Sequence, residues 1–248
     1  MSAPVTPEEL LNLFDAAARS VHDAVAGLTA ETLRERTGRV GQYALDVVAD
    51  LAAGEVLAGA PVRVVSEESG VHEKEGAGVT VVLDPVDGST NCSRGISYWA
   101  TSLCAIDADG ALAALVVNQA TGVRYVATRG GGAYRDDLRL RAPTSQSAED
   151  SLVALAGFPP RLPPFAQFRA LGCASLALCD VAAGGIDAYV DSGPWHAPWD
   201  YLGGYLVCVE AGAVVRDAFG EELVTDDVEA RRQLIAAGST ALADAIMP

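Results

Sequence analysis

A chain of 248 residues can bury a substantial core, either as one domain at the upper end of the usual size or as two closely packed halves. Half of its residues are hydrophobic and a fifth are charged, a balance that excludes a disordered chain. Seventeen basic residues against thirty-three acidic ones leave a formal charge of −16, which argues against a nucleic-acid partner, because that affinity rests on neutralising phosphates with Lys and Arg.

The opening MSAPVTPEELL lacks a basic segment followed by an apolar one, so no signal peptide is expected. A helix is predicted over residues 7–28, with Thr6 as its cap, Pro7 in its first turn, and Leu10, Phe14, Val21 and Val25 at helical spacing. A second helix over 45–57 carries Asp46 and Asp50 four residues apart on one face. Strands are predicted at 62–65 and 78–83, the first running into Ser66-Glu67-Glu68-Ser69 and the second into a loop, Asp84-Pro85-Val86-Asp87-Gly88-Ser89-Thr90-Asn91. Antiparallel strands follow at 98–106, 111–118, 123–127 and 132–140, separated by turn signals such as Asp107-Ala108-Asp109-Gly110.

The second half begins near Ser147 with a strand at 152–156 and a proline-rich link (Pro159, Pro160, Pro163, Pro164). A helix at 173–183, a strand at 186–190 and a helix at 201–211 introduced by Trp199-Asp200 come next. Strands at 213–216 and 234–237 and a short helix finish the chain, so the class is α/β or α+β with a large antiparallel component. Residues 1–146 are expected to form an α+β half and 147–248 an α/β half of one compact unit. No run approaches the ~20 apolar residues that span a bilayer, so no membrane partner is expected. The five cysteines contain no CxxC and leave one over if paired, which fits reduced, buried thiols in a cytoplasmic protein.

Acidic residues gather at three strand ends or helix starts: Glu67-Glu68, Asp84 with Asp87, and Asp200. Each has an ordinary reading on its own: a solvated turn, a type I turn, an N-cap. Together they have another, because adjacent strand ends in a layered fold converge on one crevice. Two carboxylates ~4 Å apart repel by ~4 kcal/mol at an effective dielectric of ~20. Four of them stay ionised only beside cations; otherwise their pKa values must rise. Oxygen ligands of this kind favour Mg²⁺ or Mn²⁺ over zinc. Gly88-Ser89-Thr90 opens what reads as a helical turn, whose free N–H groups suit phosphate oxygens.

The stretch Asp84–Asn91 closely resembles the DPxDGTxN signature of inositol monophosphatase-like, magnesium-dependent, lithium-sensitive phosphatases. Trp199-Asp200 with Gly203-Gly204 resembles their WDxAxG signature, and Ser66-Glu67-Glu68-Ser69 their GEES element; the likeness runs over residues 7–243. The resemblance implies alternating αβαβα layers, as in the inositol monophosphatase and fructose-1,6-bisphosphatase fold. It implies two or three Mg²⁺ ions, replaceable by Mn²⁺, with Glu67, Asp84 and the Val86 carbonyl on the first and Asp84, Asp87 and Asp200 on the second. Asp50 and Ser89 would activate the attacking water with Glu67, and Gly88, Ser89 and Thr90 would hold phosphate. Asp191 would bind substrate hydroxyls, with Cys173 and Ala174 beside the substrate. A homodimer is implied as well.

The match has departures. Ser89 replaces threonine and keeps the hydroxyl, whereas Cys92 replaces phenylalanine and Cys173 the serine of GSA. Residues 191–200 are about two longer than usual and include Trp195 and His196; the segment 158–169, where the usual dimer partly packs, is shorter. Arg39 stands near the place of a loop lysine, and Arg129-Gly130-Gly131-Gly132 reads as a hairpin turn more than a phosphate cradle. The expected activity is metal-dependent hydrolysis of a small polyol or sugar phosphate, inositol monophosphate first. Histidinol phosphate, fructose 1,6-bisphosphate or a nucleotide 3′-phosphate are alternatives, and a non-catalytic metal- or phosphate-binding relative is the third.

Overall fold

The computed structural model describes residues 5–143, 147–159 and 161–247. Helix α1 (Pro7–Ala26) begins with a reciprocal cap: Glu9 N–H donates to Thr6 Oγ1 at 3.2 Å, and Thr6 N–H donates to the Glu9 carboxylate at 2.8 Å. Its Leu10, Phe14, Ala17, Val21 and Val25 are buried, as their spacing requires. The short α2 (Ala30–Arg34) leads to α3 (Ala44–Ala58), and α1 and α3 pack together on one face of the first sheet.

That sheet holds β1 (Arg63–Ser66), β2 (Gly70–His72), β3 (Thr80–Asp87), β4 (Ala100–Asp107), β5 (Gly110–Asn118), β6 (Arg124–Thr128), β7 (Gly132–Arg135) and β8 (Leu138–Arg139), with α4 (Ser89–Arg94) between β3 and β4. The order is β2-β1-β3-β4-β5-β6-β7-β8, and only β1 and β3 run parallel. The second sheet is built from β9 (Leu152–Ala156), β10 (Gln167–Arg169), β11 (Ala188–Asp191), β12 (Val214–Asp217) and β13 (Leu234–Ala237) in the order β10-β9-β11-β13-β12. Helices α5 (Ala174–Ala183) and α6 (Pro198–Ala211) lie between the sheets, and α7 (Thr240–Ala245) covers the far face of the second. The layers alternate αβαβα.

Strand periodicity assigns each layer its core. In β5, Ala113, Leu115 and Val117 face α1 and α3, while Ala114 and Val116 face α5 and α6. In β13, Leu234 and Ala236 face the central helices and Ile235 and Ala237 face α7. The central layer is tight because α6 has no side chain at two contact points. A Cβ on Gly203 would come 2.9 Å from Val116 Cγ2, and one on Gly204 would come 2.7 Å from Leu178 Cβ. The five cysteines are buried and unpaired, and no described helix is long and apolar enough to cross a membrane.

Several expectations are corrected. The segment following Leu83 is no loop: β3 continues through Asp87, with a register shift against β4 between Asp84 and Asp87. The strand expected over 132–140 splits into β7 and β8 at Asp136, which has φ 52°. Helix α6 begins at Pro198, so Asp200 is a first-turn residue and not its cap. The short α2, β2 and β10 were not predicted. Pro160, part of the predicted link, lies outside the described residues, as do 144–146 at the predicted boundary between halves.

Candidate metal centre

The parallel pairing of β1 with β3 creates the site. Its register sets Ser66 beside Leu83, so Glu67, just past the end of β1, and Asp84, still within β3, come to the same level of the sheet; Glu67 N–H donates to Leu83 O at 3.2 Å. Helix α6 brings Asp200 to that end, its Oδ2 accepting from Ala197 N–H at 2.7 Å. Carboxylate oxygens of Glu67, Asp84 and Asp200 all lie within 4.8 Å of one another. At that distance each ionised pair repels by about 3–4 kcal/mol with an effective dielectric of ~20. Burial, and then the charges of Asp200 and Glu68, push Glu67 well above the ordinary carboxylate range. Burial, and then Glu67, Asp87 and Asp200, do the same to Asp84.

Asp87 stands beside this trio but faces α5. Its Oδ2 accepts from Ser175 N–H at 2.7 Å, Ser175 Oγ at 2.6 Å and the Cys173 thiol at 3.1 Å, while its Oδ1 is 3.4 Å from Ala174 N. Asp87 therefore supplies the anionic cap that Cys173, at the N-cap position, does not. Burial, and then Asp200, raise its pKa against these donors. Cys173 and Ala174, expected beside substrate, are buried contacts of Asp87 that also line a cavity of about 340 Å³ shared with Asp87, Gly157, Tyr189 and His196. Ser175, two residues beyond Cys173 and outside the matched motif, supplies to Asp87 the hydroxyl that Cys173 lacks.

The expected pairing of Asp50 with Ser89 is not found. Asp50 Oδ1 accepts from Ser66 Oγ at 2.5 Å, behind the nest. One helical turn earlier, Asp46 sits toward Ser89, whose hydroxyl and the Tyr43 N–H (2.8 Å) work against burial; burial prevails and lifts Asp46 to about 6. Asp46 Oδ1 is buried with no hydrogen-bond partner among the described residues, and Ser89 Oγ donates to Val86 O at 3.0 Å. The physical reason is helix phase: both aspartates share a face of α3, and only the one nearer its N-terminus reaches the level of α4.

Asp191, expected to meet substrate hydroxyls, has no exposed surface. Tyr189 and Leu234 donate to its two oxygens, and His196 lies against it. Burial opposes charge on His196, but hydrogen bonding to Asp191 and Asp200 raises its pKa well above the usual value. Gly88 has φ 89°, and a Cβ there would come 3.0 Å from Gly172 O, so glycine is required where α4 meets the approach to α5. Asn91 fastens the same junction, donating to Tyr98 O and Leu171 O, both at 2.7 Å. Thr90 is exposed, its Oγ1 3.2 Å from the Tyr43 hydroxyl. Arg39 pairs with Glu68 at 3.2 Å and also donates to the Glu67 carbonyl.

The sequence profile of the inositol monophosphatase family matches residues 58–247. The chain is 36% identical over 234 residues to a protein of Archaeoglobus fulgidus named fructose-1,6-bisphosphatase/inositol-1-monophosphatase, covering 89% of this chain and 90% of that one. It is 32% identical over 172 residues to the Nus factor SuhB of Escherichia coli (strain K12), 63% of each chain. Among solved structures, a hypothetical protein PH1897 from Pyrococcus horikoshii, described as having similarities to inositol-1 monophosphatase, superposes with a TM-score of 0.88 at 24% identity over 98% of both chains.

Proposed function

The chain belongs to the inositol monophosphatase family, and from that membership we propose that it is a Mg²⁺-dependent phosphomonoesterase acting on a small phosphorylated substrate. A polyol or sugar phosphate is the first class to test, inositol monophosphate and fructose 1,6-bisphosphate before others, because the A. fulgidus relative is named for both. The observation that carries the reading is the Glu67–Asp84–Asp200 trio, whose oxygens lie within 4.8 Å and whose burial is tolerable only with protons or cations among them. An all-oxygen donor set fits Mg²⁺ or Mn²⁺.

Glu67, Asp84 and the Val86 carbonyl would hold a first ion; Asp84, Asp87 through its less occupied Oδ1, and Asp200 a second. When bound, such ions acidify water and stabilise a departing alkoxide. The chain's own part is positioning and proton transfer. Ser89 Oγ would orient the water and, on turning from Val86 O, pass a proton toward Asp46, whose Oδ1 has no partner among the described residues and whose pKa of about 6 suits a base near neutral pH. N–H groups of Gly88, Ser89 and Thr90 would receive phosphate oxygens.

A competing reading is a family member that binds metal or phosphate, or a protein partner, without turnover; the 32% likeness to a Nus factor favours keeping it. A charge of −16 favours protein over nucleic acid as such a partner. A panel of phosphomonoesters assayed with and without Mg²⁺ separates the readings: turnover only with the ion supports hydrolysis, and binding without turnover supports the other. The homodimer implied by the resemblance and the cytoplasmic location expected from the cysteines belong to the same proposal, the first checked by sedimentation.

A further inference from the structure

Asp191 closes β11 with no exposed surface. Its Oδ2 accepts from Leu234 N–H at 2.8 Å, and its Oδ1 accepts from the Tyr189 hydroxyl at 2.6 Å. His196 Nε2 lies 3.1 Å from the same Oδ1 and 2.9 Å from the Tyr189 oxygen. The other ring nitrogen, Nδ1, points the opposite way and lies 3.5 Å from Asp200 Oδ2. The backbone of His196 is itself clamped, donating to Arg232 O at 3.3 Å and accepting from Arg232 N–H at 2.8 Å. The imidazole therefore spans the gap between a fully buried aspartate of the second sheet and a carboxylate of the acidic trio.

This arrangement has a direction. Asp191 has donors on both oxygens without His196, so the imidazole adds least there. Among the described residues, Asp200 Oδ2 has only Ala197 N–H besides the imidazole in hydrogen-bond or ion-pair contact. A carboxylate on the first turn of a helix otherwise keeps rotational freedom about its side-chain bonds, and two contacts on one oxygen remove it. We propose that Tyr189, Asp191 and His196 form a positioning relay that fixes the Asp200 carboxylate and so sets how tightly the candidate centre holds a divalent cation. Outer partners of this type typically alter metal affinity by about ten- to a hundredfold. The longer 191–200 segment is then a support for the metal centre more than a wall for substrate.

The inference rests on the metal-centre reading, so its test must separate the two. Mn²⁺ and Mg²⁺ binding to the full chain would be measured by calorimetry for wild type, His196→Ala, His196→Gln and Tyr189→Phe, with melting curves confirming folded protein. His196→Ala should weaken binding by about ten- to a hundredfold, His196→Gln, which keeps one donor, by less, and Tyr189→Phe least. At saturating Mg²⁺ the KM for p-nitrophenyl phosphate should stay within about twofold of wild type. A folded His196→Gln or His196→Ala protein with wild-type cation affinity would overturn the relay. So would a raised KM at unchanged affinity, which would make His196 a substrate contact. If wild type itself bound neither cation, the metal-centre reading would fall, and the relay with it.

Discussion

Asp84 and Asp217 are both buried aspartates on strands, and their surroundings are opposite. Asp217 ends β12 with its charge met by backbone donors: Phe219 and Glu221 N–H at 2.8 and 3.2 Å on one oxygen, Gln233 N–H at 2.8 Å on the other. Asp84 accepts from a single backbone donor, Val86 N–H at 3.0 Å, and faces Glu67 and Asp200. Burial of a carboxylate therefore does not mark a site. A carboxylate buried against other carboxylates does, because the fold meets it with fewer donors than its charge needs.

Substituting asparagine at each position separates the two cases most widely. Asp84→Asn should lower kcat/KM for the preferred ester by about a thousandfold or more, as expected when several kcal/mol of electrostatic stabilisation are lost. The same change should raise the melting temperature of the metal-free protein, since it removes repulsion. Asp217→Asn should do the reverse, leaving activity of the folded fraction intact while costing about 1–3 kcal/mol of stability through its unpaired N–H groups. Paired denaturation and kinetic measurements on both variants would check this, and equal behaviour would remove the distinction.

The pH dependence sharpens it. Glu67, Asp84 and Asp87 have folded-state pKa values raised above their unfolded ones, and Asp46 is raised to about 6. A raised carboxylate stabilises the fold fully below its unfolded value near ~4 and loses that contribution as pH rises through the folded value. Metal-free protein should therefore melt lower at pH 8 than at pH 6, and added Mg²⁺ should raise the melting temperature more at pH 8. A flat profile would contradict the account.

Smaller effects belong to the scaffold. Gly204→Ala forces a methyl against Leu178 and Ser175 and should cost about 1–3 kcal/mol without altering cation affinity per folded molecule. Arg39→Ala opens a half-exposed ion pair with Glu68 and should change stability by less than about 1 kcal/mol in a denaturant titration.

Which parts were legible in the sequence follows from the same physics. Strands β4, β5, β9 and β13 alternate their contacts between two cores or are apolar throughout, so periodicity and turn residues found them. β10 is exposed along its whole length and β2 nearly so, which leaves no alternation to read. The acidic strand ends were visible because charge after an apolar run is conspicuous, yet their partners were not. Asp46 and Asp50 are equivalent on a helical wheel until the height of Ser89 and Ser66 along α3 is known. Asp191 lies where an acidic substrate contact is expected, and only the return of β13, carrying Leu234, shows it to be sealed. His196 depends on how the six-residue connection between β11 and α6 folds, which no spacing encodes.

Titration of Mg²⁺ or Mn²⁺ into folded protein, followed by calorimetry with and without inorganic phosphate, tests the central claim most directly. Saturable uptake by wild type and Asp217→Asn, abolished in Asp84→Asn, is the expected result. No uptake by well-folded wild type, phosphate present or not, would contradict it.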